Sequence, residues 1–151
     1  MRSIEETARA LHDRFLTLAR CRPARDPLAA SCEELGLTSP QIHTMLWLGH
    51  DGPLPMGELA RRLSVKDKTI TGLVDRLERD GLARRGRDDA DRRVVHVRLT
   101  ARGAALARAI EEDVRETIVR LVGLLDANDR KALLRILDRL IDRLSEPRED
   151  A

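Results

Sequence analysis

Residues 57–103 read GELARRLSVKDKTITGLVDRLERDGLARRGRDDADRRVVHVRLTARG, and the fold turns on how this stretch divides. It opens with two short helical patterns, Met56 to about Leu63 and about Lys66 to Asp80. The second is closed by Gly81, a residue type that ends helices in the left-handed conformation. Within it Ile70, Leu73, Val74 and Leu77 fall in a narrow arc and must face a core. Lys68, Gly72, Asp75, Arg76 and Arg79 occupy the opposite arc, with Thr69 and Thr71 on its flanks. A buried back and a front of Lys, Thr, Gly and Arg is what a groove-reading helix needs. Its polar tips reach base edges, and Gly72 lets the backbone approach at a cost of roughly 0.5–1 kcal/mol in helix stability. The same front also suits a helix that only meets water, so the helix pair alone does not decide the matter.

The segment beyond Gly81 decides it. Leu82 to Arg87 and Val94 to Leu99 each read as a short strand, the second alternating Val95, Val97 and Leu99 with His96 and Arg98. Between them Asp88-Asp89-Ala90-Asp91-Arg92-Arg93 is too polar to pack and must project. An arginine at such a tip is sized for the narrow minor groove of DNA, and a nearby carboxylate holds its guanidinium in place. The charge distribution agrees. Residues 59–102 carry 13 Lys/Arg against 7 Asp/Glu, a surplus of +6, whereas residues 1–58 and 103–151 each carry −2. A basic middle between mildly acidic flanks is the footprint of a polyanion-binding module.

Working outward, the chain of 151 residues is read as one domain, residues 1–151. Toward the N-terminus, Ile4, Ala8, Leu11, Phe15 and Leu18 mark an apolar stripe on a helix of about residues 3–20. Arg22-Pro23 and Asp26-Pro27 then predict a loop reaching about Gly36. Thr38-Ser39-Pro40-Gln41 combines capping-box spacing with a first-turn proline and starts a helix carrying Ile42, Leu46 and Trp47. Toward the C-terminus, Thr100 caps a long helix bearing Leu106, Ile110, Val114, Ile118, Leu121, Val122 and Leu125. After residues 126–129, a last helix carries Leu133, Leu137, Leu140 and Leu144 at coiled-coil spacing.

The expected architecture is mainly α with a small β-hairpin wing: a winged helix-turn-helix lobe of about residues 38–100, flanked by dimerisation helices of about 3–20 and 101–145. The terminal stripes exceed what so small a lobe can cover, which favours a homodimer over a closed intrachain bundle. Two-fold symmetry would present two recognition helices to half-sites about 34 Å apart, so the expected partner is double-stranded DNA bearing an inverted repeat.

These residues resemble the multiple-antibiotic-resistance regulators (MarR), a family of dimeric winged-helix transcription factors. The likeness covers roughly Leu37 to Leu106. It is carried by Leu37-Thr38-x-x-Gln41, Gly57-Glu58-Leu59-Ala60, Val74-Asp75-Arg76-Leu77-Glu78, Gly81-Leu82 and, most specifically, Asp91-x-Arg93-x5-Leu99-Thr100. The resemblance implies a recognition helix at Lys66 to Asp80 and a wing at Arg84 to Val97. It makes Arg93 the minor-groove arginine, Asp91 the carboxylate that orients it, and Arg92 a phosphate or alternative groove contact. Lys66, Lys68, Thr69, Thr71 and Arg76 complete the expected DNA-binding set. The sequence departs from the family pattern where the helix begins: Lys66 stands where members often have serine, and Asp67 where they often have a basic residue. Asp67 favours the helix dipole but opposes a phosphate.

A regulator of this kind is expected to repress until a small molecule releases it. Phe15 and Trp47 are the only aromatic residues, so an aromatic-lined pocket is hard to build. His12, Arg14, Phe15, His43 and Trp47 are the candidate contacts for a small anionic ligand. Cys21, beside Arg20, Arg22 and Arg25, offers a redox-sensing alternative. A metal-sensing set of Cys32, Glu33, Glu34 and His43 lacks a defined four-ligand spacing, so no metal and no cofactor is expected. No nucleophile, base and orienting acid stand in a recognisable catalytic arrangement, which argues against an enzyme. A winged-helix protein-interaction module is the other alternative. The N-terminus does not read as a signal peptide, no run of about 18 apolar residues spans a membrane, and two cysteines without a framework fit a reducing cytoplasm.

Overall fold

The computed structural model of the protein describes residues 3–21, 27–87 and 94–145. The first helix, α1 (Ile4–Ala19), starts at a capping box. Ser3 Oγ accepts from the Glu6 amide at 3.1 Å, and Glu6 returns the bond to the Ser3 amide at 2.9 Å. No residue of α1 is buried. The segment expected to be loop up to Gly36 instead contains α2 (Pro27–Leu35). Pro27 occupies the first helical position, where a missing N–H costs nothing, so it starts a helix rather than breaking one. Leu28, Ser31 and Cys32 turn toward the core, and α2 packs on α3 and α6. Nine residues give too short a period to stand out in sequence beside two prolines. Gly36, at φ +64°, ends the helix.

The helix α3 (Ser39–Asp51) begins where the capping box placed it: Gln41 Oε1 accepts from both the Thr38 amide, at 2.8 Å, and the Thr38 hydroxyl, at 2.9 Å. Ile42, Met45 and Leu48 are buried. After Gly52 comes a strand that the sequence pattern does not show, β1 (Leu54–Pro55), then α4 (Met56–Leu63) and α5 (Asp67–Arg79). The turn between the last two is tight. Ser64 sits left-handed at φ 53°, and the amides of Ser64 and Val65 bond back to Arg61 and Ala60 carbonyls.

The strands β2 (Ala83–Arg87) and β3 (Val95–Leu99) pair antiparallel in the register Ala83↔Leu99 through Arg87↔Val95. Leu54 and Pro55 add to the other side of β3, giving a three-stranded sheet of order β1-β3-β2. Two residues cannot announce themselves by alternation, so β1 exists because β3 offers it a free edge.

The chain then enters α6 (Ala101–Val122), whose cap is Thr100: its hydroxyl accepts from the Gly103 amide at 3.0 Å and donates to the Gly81 carbonyl at 2.7 Å. Gly103 packs so tightly on the preceding segment that a Cβ there would lie 1.9 Å from the Leu82 carbonyl oxygen. Asp126 accepts from the amides of Asn128 and Asp129 and starts α7 (Ala127–Ser145).

The core lies in the middle of the chain, where Ile42, Met45, Leu59, Ile70, Val74, Leu77 and Val97 are at most 1% exposed. It also takes in Ala107 and Ile110 of α6, so the first half of that helix belongs to the lobe's interior. The ends of the chain differ sharply. Ile4, Phe15, Leu134, Ile141 and Leu144 are more than half exposed, and no residue of α7 is buried.

Candidate nucleic-acid interface

The segment Lys66–Arg79 owes its orientation to three side chains. Ile70, Val74 and Leu77, spaced four and three, are driven into the core, and this fixes which arc faces outward. On that arc Lys66, Lys68, Thr69, Thr71, Gly72, Asp75, Arg76 and Arg79 are all exposed. Lys66 is the cap residue and makes no side-chain capping bond, leaving the first amides of α5 open to an external acceptor. The two threonines differ. Thr71 donates its hydroxyl to the Asp67 carbonyl at 2.8 Å, whereas Thr69 sits on the other flank, beside Lys68, Gly72 and Arg76 in a hollow of about 350 Å³ against Pro40 and Gln41.

A strut that the sequence pattern does not announce fixes the hairpin to this helix. Arg85 projects from β2 between Asp75 and Glu78, with Nη1 2.7 Å from Asp75 Oδ1 and also bonded to Glu78 Oε2. Its Nη2 donates to the Thr71 carbonyl at 3.1 Å, and its backbone amide donates to Glu78 Oε1 at 2.7 Å. Arg102 adds a second tie, donating to the Asp80 carbonyl at 2.9 Å. The signal for the strut was present as two acids three apart on one helix face and an arginine on the inward register of the next strand. Only pairing of the strands puts them together. Asp75 is therefore occupied by Arg85 rather than presented to a phosphate.

The remaining expected wing residues, Asp91, Arg92 and Arg93, lie outside the described residues, as does the whole tip of residues 88–93. Of the strands that lead to it, Arg84, Arg87 and Arg98 are exposed.

The expected ligand contacts separate into two groups. His43 and Trp47 meet on α3 with ring centroids 6.0 Å apart, while His12, Arg14 and Phe15 lie exposed on α1, which packs extensively on no other described element. Arg14 is turned back onto its own helix, donating to the Ala10 carbonyl at 2.8 Å. The Cys21 thiol lies exposed at the end of α1, 3.5 Å from the Thr17 carbonyl oxygen. Cys32, Glu33, Glu34 and His43 do not converge, and among the described residues no group of three or more such side chains is placed to hold a metal ion.

Trp47 belongs instead to a charged chain joining α3 to α4. The Arg62 guanidinium lies 5.9 Å from the Trp47 ring and bonds to Asp51, while its Nε donates to Glu58 at 2.7 Å. Glu58 also takes two bonds from Arg61, and Asp51 takes one from His50 at 2.7 Å. These partners hold the Glu58 carboxyl at about 2, Arg61 contributing most and Arg62 next. The hydrogen bond from His50, followed by that from Arg62, also keeps Asp51 below the usual carboxylate range. Asp51 in turn raises His50.

An amphipathic helix with a core-locked back, an exposed front of Lys, Thr, Gly and Arg, and a hairpin strapped to its flank is built to enter a groove. Known proteins agree with that geometry. The model of the MarR family matches residues 37–95. The HTH-type transcriptional repressor NicR of Pseudomonas putida is 39% identical over 106 residues, covering 70% of this chain and 67% of that one. The HTH-type transcriptional repressor Rv2887 of Mycobacterium tuberculosis is 32% identical over 116 residues, 77% of this chain and 84% of that one. Among solved structures, a MarR family protein from Bacillus stearothermophilus superposes with a TM-score of 0.79 at 25% identity, over 96% of this chain and all of that one.

Proposed function

The chain belongs to the MarR family of DNA-binding transcriptional regulators, and from that premise we propose that it is a cytoplasmic homodimeric repressor, bound to an inverted-repeat operator and released by a small anionic ligand. It is a regulator rather than an enzyme. The observation that carries the reading is the recognition face of α5. Its back is fully buried, its front is basic and exposed, and Arg85 fixes the angle between it and the hairpin. Lys68, Thr69, Thr71 and Arg76 face the major groove and Lys66 meets a phosphate. At the tip, Arg93 enters the minor groove, Asp91 holds it, and Arg92 takes a phosphate or alternative groove contact.

Domain organisation follows the same division. The lobe of about residues 38–100 reads DNA, and helices of about 3–20 and 101–145 from two copies cover each other's apolar stripes. The exposure of Ile4, Phe15, Leu134, Leu140 and Leu144 supports this. A ligand acts by favouring one spacing of the two recognition helices, and it shifts DNA affinity only by its differential affinity for the two dimer shapes. His12, Arg14, Phe15, His43 and Trp47 are the contacts proposed for it. Those on α1 reach the others only where two copies meet.

The test is titration of a labelled duplex from the DNA upstream of the coding region, repeated over a range of salt. Log affinity should fall steeply and linearly with log salt, by about 0.9 per phosphate neutralised. A flat dependence would assign the lobe to protein docking instead. Benzoate serves as the ligand probe: it should change Trp47 fluorescence and weaken operator binding. Release that follows oxidation and vanishes in Cys21→Ser would replace the ligand with a redox signal.

A further inference from the structure

In an antiparallel pair, side chains alternate between faces, and the register here sorts the hairpin into two surfaces. Ala83, Arg85, Val97 and Leu99 turn inward, where Arg85 meets α5. Arg84, Gly86, His96 and Arg98 turn outward, and Arg84 stands directly opposite Arg98. Residues opposed in this way have Cβ atoms roughly 4.5–5.5 Å apart, and like charges there destabilise the pair. The outward face carries no carboxylate from either described strand to offset them. Among the described residues neither arginine has an ion-pair or hydrogen-bond partner, whereas Arg85, one position away, has two carboxylates. Gly86 completes the arrangement. A Cβ there would lie 2.8 Å from Arg98 Nη2, so the missing side chain is what lets that guanidinium lie across β2.

We propose that Arg84 and Arg98 form a phosphate clamp, gripping the sugar-phosphate backbone of duplex DNA beside the stretch read by α5. The clamp rests on the proposed DNA-binding function. A guanidinium presents a planar fork that matches phosphate oxygens, and an anion between two such groups removes the repulsion that the register creates. The DNA backbone is the anion source because Arg85 straps this hairpin to α5. A duplex seated on that helix brings its phosphates alongside the strands. Such contacts fix position without reading sequence.

The experiment uses the full chain with two duplexes of equal length, one carrying the upstream inverted repeat and one of unrelated sequence. Arg98→Ala should flatten the salt slope by about 1 on both. Arg84→Glu places an acid opposite Arg98, occupying it. The slope should flatten by about 2, affinity at low salt should fall on both duplexes, and the preference ratio between them should hold. Its Tm should equal or exceed that of the wild type, since an opposed pair of opposite charge replaces a like one. Stability and DNA affinity thus move in opposite directions, which a merely structural role does not produce. Wild-type slopes in both variants, or a changed preference ratio with an unchanged slope, overturn the clamp alone. A wild type that shows no salt-steep duplex binding overturns the DNA-binding reading and the clamp with it.

Discussion

The lobe and the two ends of this molecule are built from the same kind of amphipathic helix, yet they end in opposite states. In the lobe, α5 buries Ile70, Val74 and Leu77 almost completely, and Leu59 and Val97 close over them. At the ends, α1 and α7 carry stripes of equal regularity, and Phe15 remains 65% exposed and Leu144 81%. The difference is one of partners. Several elements of the chain converge on α5, while α1 and α7 find too little apolar surface in their own chain. A stripe that is regular but uncovered marks where the protein expects another copy of itself, and a covered stripe with a bare charged front marks where it expects a ligand of opposite charge.

The largest effect should come from breaking the uncovered side. Leu137→Glu combined with Leu140→Glu places charges in the proposed dimer seam and should give monomers or aggregates in light scattering. A wild-type monomer at micromolar concentration would remove the basis of the comparison. The matching change in the lobe is Leu77→Ala, which should cost about 2–5 kcal/mol by denaturant titration. That loss should be the same at every protein concentration, whereas the Tm of the wild type should rise with concentration if folding and dimerisation are linked.

The wing tests whether the lobe's charged front is divided into separate tasks. Arg93→Ala should weaken operator binding by about 1–3 kcal/mol and change preference mainly at the operator's outer edges. Asp91→Ala should reproduce part of that loss, although removing an acid ought to favour a polyanion on charge alone. Changes at Thr69 and Arg76 should instead alter preference nearer the centre of each half-site. Competition binding at fixed salt against operator variants reads all of these. Tighter binding by Asp91→Ala would show that the tip does not enter the groove.

The smallest effect concerns the charged chain between α3 and α4. Because its partners hold Glu58 at about 2, below the ordinary value, its contribution is in place above that ordinary value and is lost as pH falls through about 2. His50 has the opposite sign. Raised by Asp51, it contributes below about 6.5 and loses that contribution as pH rises through its higher folded value. Glu58→Gln should therefore flatten the acid limb of the stability profile between about pH 4.5 and pH 2 and leave the alkaline side unchanged. Both groups are solvated, so the change should be small and should shrink further in salt.

Much of this was legible from residue order. The boundaries of α4 and α5 and the strands β2 and β3 fall within a residue or so of where periodicity and turn residues put them, because each signal was local. Thr38-x-x-Gln41 and Thr100 cap their helices as their spacing requires. The helix α2 was misread because Pro27 punctuates in either direction, and the contacts of Leu28 and Cys32 decide which. His43 and Trp47 illustrate the limit at the site. Their spacing of four put them on one face of α3, but nothing local showed that Arg62 would be the group beside that ring.

What the sequence determined by itself is whatever repeats or caps within a few residues: the helices, the hairpin, the basic middle segment and the arc of α5 that faces outward. The tertiary structure alone decided that Arg85 would span Asp75 and Glu78, that β1 would exist at all, and that Arg84 would stand against Arg98. Each of these depends on which distant segments meet and in what register. Pairing energies are gained only after the chain has folded back, and no local pattern of residues encodes them.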